Sequence, residues 1–140
     1  MDTQYLADRL AISDLLADYA HAVDRQDWDL YRSVFTAEAT VDYTTAGGVA
    51  GDLDTVVAWL AETMTMFEMS QHKVSNERVS IDGDEATVSA MFYNPMRMTG
   101  GELQFFTGGW YHHKLVRTDD GWRSRELVEE FAWTHGMPGA

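Results

Sequence analysis

The chain contains no cysteine, which excludes disulfides, thiolate metal sites and cysteine nucleophiles. Proline is scarce, with 2 in 140 residues, and cations are few: 10 Lys plus Arg stand against 23 Asp plus Glu, a formal net charge of −13. Protonating all 5 histidines leaves the chain strongly negative. Binding to phosphate backbones requires clustered cations that release counterions, so neither nucleic acid nor an anionic membrane surface is an expected partner. Long apolar runs are absent too. The first helix-like segment carries Asp2, Asp8, Arg9, Asp14 and Asp18, so it reads neither as a signal peptide nor as a membrane span. What is there is ordinary globular composition, 45% hydrophobic and 24% charged. The length fits one domain with one sizeable core. The expectation is a single soluble, cytoplasmic domain over 1–140 with a loose tail over 135–140, acting on something small and not polyanionic.

From Thr3 to Val23 the apolar residues Leu6, Ile12, Leu15, Leu16, Tyr19, Ala20 and Val23 recur at helical spacing, with Asp14, Asp18, His21 and Arg25 on the other side. Asp2 or Thr3 is the expected N-cap, and Asp27 can cap a short second helix whose Trp28, Tyr31, Val34 and Phe35 point inward. Ala39 to Thr44 reads as a strand, Ala46 to Gly51 as a turn. A third helix is expected from Asp52 or Asp54 to about Met69. After Ser70 come four long β-branched and aromatic stretches, Gln71 to Ile81, Glu85 to Met98, Glu102 to Val116 and Trp122 to Trp133. Asp82-Gly83-Asp84, Gly100-Gly101 and Asp119-Asp120-Gly121 divide them as hairpin turns. Helices first and an antiparallel meander afterwards predict an α+β fold: three N-terminal helices covering one face of a curved, mostly antiparallel sheet.

Two residues invite chemistry. Asp24 falls at the edge of the apolar stripe at the end of the first helix, where it is either a surface carboxylate beside Arg25 or one that points into a pocket. His72 shares strand parity with Val74, so it looks into the core mouth if that parity faces the helices. A lone inward histidine is usually structural. A carboxylate on one ring nitrogen changes that, because it fixes the tautomer and leaves the other nitrogen as a base. His112 and His113 are adjacent on a strand and cannot chelate one ion together, and His21 with Asp18 or Asp24 lacks any recognised ligand spacing. Neither a metal nor a cofactor is expected. Ser70, Ser75 and Ser80 lack a nucleophile elbow, and Gly100-Gly101 and Gly108-Gly109 lack a phosphate-binding context. Met64, Met66, Met69, Met91, Met96 and Met98 are either a soft apolar wall or ordinary core filling.

The order of elements resembles the nuclear transport factor 2-like superfamily, the cone-shaped (cystatin-like) fold of ketosteroid isomerases and SnoaL-like proteins, over about Asp2 to Trp133. The series Tyr19-Ala20-His21-Ala22-Val23-Asp24-Arg25-Gln26-Asp27-Trp28-Asp29, then Val41-Asp42-Tyr43 and Gln71-His72, is most similar to scytalone dehydratases. Hexachlorocyclohexane dehydrochlorinases and bile-acid 7α-dehydratases are similar at the Asp and His positions, the latter also at Tyr19. The resemblance implies that His72 removes a proton and Asp24 orients it. It departs at two places: Met96 stands where scytalone dehydratases have a second histidine, and Tyr111 where they have an asparagine.

The resulting expectation is a cofactor-independent lyase of the dehydratase or dehydrohalogenase type. His72 and Asp24 form its acid–base dyad, and Tyr19 or Tyr43 donates a hydrogen bond to the leaving group or developing oxyanion. Trp28, Phe35, Trp59, Met64, Phe67, Met91 and Phe106 are expected to line a cone for a flat, small apolar cyclic molecule. An isomerase would use the same parts. The alternative is a non-catalytic module that binds a small molecule or a protein, with a ring-hydroxylating oxygenase small subunit as a fainter third. Phe105 beside Phe106 and Trp110 beside Tyr111 put aromatics on both sheet faces, which predicts a homodimer or homotrimer built through the outer face.

Overall fold

The computed structural model describes residues 2–137. Helix α1 spans Thr3–Arg25, and the Asp2 carboxylate caps it by accepting from the Tyr5 amide at 2.7 Å. Its buried stripe runs through Asp8, Ile12, Leu15, Leu16, Tyr19 and Val23. Leu6, expected inward, is 49% exposed, because the inward position of the first turns belongs to Asp8. The helix ends at Gln26, a non-glycine residue held left-handed at φ 54°, whose side-chain amide donates to the Met64 carbonyl at 3.2 Å. That conformation costs on the order of 1–2 kcal/mol. It reverses the chain sharply into α2 (Trp28–Ser33), which Asp27 caps through the Leu30 amide.

Strand β1 (Phe35–Asp42) starts earlier than the alternation implied, and a 3-10 turn over Thr44–Ala46 leads to the short β2 (Ala50–Asp52). Helix α3 (Leu53–Thr63), capped by Asp52, stops well short of Met69. A 3-10 turn over Met64–Met66 follows, and then Phe67–Ser70 forms β3, paired with the end of β5. An apolar run of this length fits a helix or a strand equally, and pairing with β5 decides it. The remaining strands are β4 (Lys73–Asp82), β5 (Glu85–Met98), β6 (Gln104–Thr118) and β7 (Gly121–His135). Of the tail expected to be loose, His135 closes β7, Met137 packs on the core, and 138–140 lie outside the described residues.

One sheet results, in the order β2-β1-β7-β6-β5-β3, with β4 also pairing β5. Only β1 and β7 are parallel among the described pairs. The sheet is curved and open, and the three helices lie in the N-terminal half of the chain, as expected. Strand β5 carries β4 along its first part and β3 along its end, so the β3–β4 connection lies beside the middle of β5. Within β4 the register shifts between Ser75 and Arg78, where Asn76 adopts φ 54°. Inner-face residues of the long strands, Val88, Ala90 and Phe92 on β5 and Phe105, Tyr111 and Leu115 on β6, pack with Ile12, Leu16 and Val56 of the helices into one core.

Candidate active site

The last turn of α1 and the β3–β4 connection meet at one carboxylate. Asp24 Oδ1 accepts from the Ser70 hydroxyl at 2.8 Å and from His72 Nδ1 at 2.6 Å, while Oδ2 accepts from the His72 backbone amide at 2.8 Å. A carboxylate only accepts, so Nδ1 carries the ring proton and Nε2 holds the lone pair. Asn94 Nδ2 on β5 donates to that Nε2 at 3.1 Å, and the Gln71 amide ties the connection to the Pro95 carbonyl at 3.1 Å. His72, placed just before β4 and not within it, has a side chain 8% exposed against 18% for Asp24. The imidazole is therefore fixed at both nitrogens and by its own backbone.

His72 and Asn94 line a cavity of about 190 Å³ between the helices and the inner sheet face; Asp24 stands behind the ring and reaches the cavity only through it. Apolar walls come from Trp59, Leu60, Met64, Phe67, Phe92 and Phe105. Gly48 allows part of this: a side-chain carbon there would lie 2.7 Å from the Trp59 ring and 2.9 Å from Tyr43. The polar side is a phenol cluster. The Tyr43 hydroxyl lies 2.6 Å from that of Tyr19 and 2.8 Å from that of Tyr31, and the Tyr19 and Tyr111 rings are 5.0 Å apart. Burial pushes all four phenols well above their ordinary ionisation range, and the nearby Glu129 carboxylate adds to it. They remain hydrogen-bond donors at any physiological pH.

Glu129, on β7, is the unanticipated member of the cavity wall. It is 8% exposed and its Oε1 has no hydrogen-bond partner among the described residues. Burial raises its pKa to about 7, opposed by a hydrogen bond from Tyr111 and helped by the charge of Asp42. Thr45 pins this stretch of β7, donating to the Glu129 carbonyl at 2.7 Å and accepting from the Phe131 amide at 3.0 Å.

Tyr19, Tyr43, Trp59, Met64, Phe67 and His72 line the cavity, and so do Met96 and Tyr111, which stand at the two places where the family pattern departs. Met91 and Phe106 do not. Met91 is 41% exposed in an outer groove beside Trp110, and Phe106 stacks on Tyr93 at 5.9 Å on the outer face. Both were assigned the wrong strand parity, since Phe92 and Phe105 hold the inward positions next to them. Trp28 packs edge-on against Tyr31, and Phe35 against Tyr31 and Tyr19, beneath the cavity and not on it. Asn94 and Glu129 were missed, although each is a polar residue on an inward parity, between Phe92 and Met96 and between Leu127 and Phe131. His113 and His112 face opposite sides. His113 is buried, donates Nδ1–H to Ser124 at 2.8 Å, and has its pKa lowered to about 3 by burial and by His112. His112 bridges Ser89 and Glu130 outside.

Among the described residues no group of three or more His, Asp or Glu side chains is placed to hold a metal ion, and no helix is long and apolar enough to cross a membrane.

A curved open sheet with N-terminal helices across its inner face defines the cystatin-like α+β class. The chain belongs to the SnoaL-like domain family, whose profile matches residues 4–128. An uncharacterized protein of Mycobacterium tuberculosis is 38% identical over 125 residues, covering 89% of this chain and 85% of that one. Two solved structures share the fold at low identity. A scytalone dehydratase-like protein from Novosphingobium aromaticivorans superposes with a TM-score of 0.87 at 19% identity, over 100% of this chain and 94% of that one. The hexachlorocyclohexane dehydrochlorinase LinA-type3 from Novosphingobium barchaimii gives 0.84 at 18%, over 100% and 97%.

Proposed function

We propose that the protein is a cofactor-independent lyase of the dehydratase or dehydrohalogenase type, acting on a small apolar cyclic molecule. The observation that carries this reading is the oriented imidazole: Asp24 holds Nδ1 at 2.6 Å, and the opposite nitrogen stands beside Asn94 on the cavity wall. Nε2 takes a proton from a carbon next to a carbonyl or a halogen-bearing carbon, and the imidazolium that forms is stabilised by Asp24. Tyr19 or Tyr43 donates to the developing oxyanion or leaving group. Asn94 serves both states of the ring, since its amide N–H meets the neutral Nε2 and its unpartnered Oδ1, after rotation, accepts from the protonated one.

Cavity size narrows the substrate. At about 190 Å³ the space exceeds the ~150 Å³ that admits benzene and falls below the ~300 Å³ at which drug-sized pockets begin. A molecule of one or two rings matches that space. An isomerase that returns the proton would use the same groups. The second reading, a non-catalytic binding module, draws on Asn94 occupying the Nε2 lone pair in the closed site. A mass-spectrometric screen with hydroxy-ketones, halocyclohexanes and hydroxysteroids separates the readings. The lyase predicts product from a one- or two-ring compound and none from the His72→Ala variant, whereas unchanged ligand recovered from the cavity favours the module. On the outer face, Tyr93, Phe106 and Trp133 form an aromatic surface with ring separations of 5.9 Å. We assign it to a homodimer or homotrimer contact.

A further inference from the structure

Glu129 is a carboxylic acid in largely apolar company. Its neighbours of the same parity on β7, Leu127 and Phe131, are apolar, and its site is walled by aromatic rings. Asp8, the other deeply buried carboxylate on the inner side, receives hydrogen bonds from Arg117, Trp122 and Gln4. Glu129 accepts one hydrogen bond, from Tyr111, faces no cation among the described residues, and has its Oε1 buried without a partner. Leaving a polar group in that state costs about 1–3 kcal/mol, and more for a charged one. Glu129 lines the same cavity as His72. His72 enters from the β3–β4 connection and Glu129 from β7, with β5 and β6 between, so the two groups meet the cavity from different walls.

We propose that Glu129 is the proton donor to a leaving hydroxyl, which commits the site to loss of water over loss of halide. The proposal rests on the lyase reading above. His72 Nε2 takes the proton from carbon, and that C–H electron pair becomes the new C=C bond. The C–O bond breaks with its pair going to oxygen, and the Glu129 O–H proton joins that oxygen, so water leaves. The imidazolium then returns its proton through solvent to the Glu129 carboxylate, and the net change is substrate to alkene plus water. Hydroxide is a poor leaving group and needs this proton. Halide leaves as an anion without it and gains nothing from a carboxyl at its side. A buried site that holds the carboxyl neutral up to about pH 7 keeps the proton available.

The test uses a β-hydroxy cyclic ketone and its β-chloro analogue with the wild type, Glu129→Gln, Glu129→Asp and His72→Ala, each checked for folding by thermal denaturation. Glu129→Gln is expected to lose about 10²-fold or more on the hydroxy compound while staying within a few-fold of wild type on the chloro compound, with Glu129→Asp partly restoring the former. Equal losses on both compounds, or no loss on either, overturn the proposal. Retained turnover in His72→Ala overturns the lyase reading instead. A readout that needs no substrate accompanies these: the infrared carboxyl band that appears in the wild-type minus Glu129→Gln difference should be that of a neutral acid at pH 6. A Glu129 already ionised at that pH has no proton to give, and the assignment falls.

Discussion

Helix α1 carries a hydrogen-bonded aspartate near each end, and the surroundings of the two differ. Asp8, in the second turn, accepts from Arg117 Nη1 and Nη2 at 2.7 and 3.0 Å, from Trp122 Nε1 at 3.1 Å and from Gln4 at 2.9 Å. These partners hold its carboxyl well below the usual carboxylate range, Arg117 first among them. It does not line the cavity that His72 lines. Asp24, four turns on, is held as tightly by Ser70 and by two nitrogens of His72. What separates them is the partner. A guanidinium does not give up its proton, so Asp8 can only hold the helix to β6 and β7; an imidazole can, so in the proposed function Asp24 stands behind a group able to exchange protons with a molecule in the cavity.

Removing each carboxylate breaks the comparison in a different place. Asp8→Ala leaves the Trp122 indole N–H without an acceptor and Arg117 with only Asp84 and the Gly83 carbonyl, and should lower unfolding free energy by about 3 kcal/mol, the low end for a buried pair because the Arg117 side chain is 31% exposed. Denaturant unfolding measures this, and turnover per folded molecule should not move. A loss below about 1 kcal/mol would mean that solvent already screens the pair. Asp24→Asn should do the reverse. It keeps the shape and removes the anion, so the rate falls by about 10² or more while the midpoint of unfolding changes little. If the two variants have the same profile, the distinction between the ends is lost.

The buried titrating groups sharpen it further. The folded pKa of His113 is lowered from 6.5 to about 3, so below pH 6.5 the unfolded chain binds one proton more, and stability rises with pH. That of Glu129 is raised from 4.5 to about 7, so above pH 4.5 the unfolded chain has released a proton the native state retains, and stability falls with pH. Between pH 4.5 and 6.5 the two slopes, each up to about 1.4 kcal/mol per pH unit, cancel. Glu129→Gln should expose a rising slope in that window and His113→Gln a falling one, read from denaturant midpoints at four pH values. The smallest effect is expected from Phe106→Glu on the outer face. It should shift the mass seen by light scattering toward the monomer and disturb neither end of α1.

Much of the architecture was legible because it rests on local chemistry. Asp2, Asp27 and Asp52 cap the three helices as their positions implied, and the Gly-containing hairpin turns divide the long strands at the expected places. What resisted was parity and pairing. Doublets such as Phe105-Phe106 and Trp110-Tyr111 put one aromatic on each face whichever way the strand turns, so composition does not say which ring lines the cavity. Met91 and Phe106 were misplaced for that reason. β3 was hidden because its strand character comes from β5 and not from Phe67-Glu68-Met69-Ser70 itself. In the site, Asp24 and His72 stood out through family resemblance, whereas Asn94 and Glu129 required the opposite habit: asking which polar residues occupy apolar parities.

The register shift in β4 has a consequence for how the protein behaves when crowded. β4 pairs only with β5 among the described strands, which leaves its far side a free edge ten residues long. Such an edge is a template for strand-by-strand self-assembly. Here the shift between Ser75 and Arg78, with Asn76 left-handed inside it, splits the edge into ladders of three and five residues, and Lys73, Glu77, Arg78 and Asp82 place charge along it. A straight incoming strand finds no uninterrupted run longer than five residues to pair with. The backbone irregularity thus works against self-assembly along the sheet's edge.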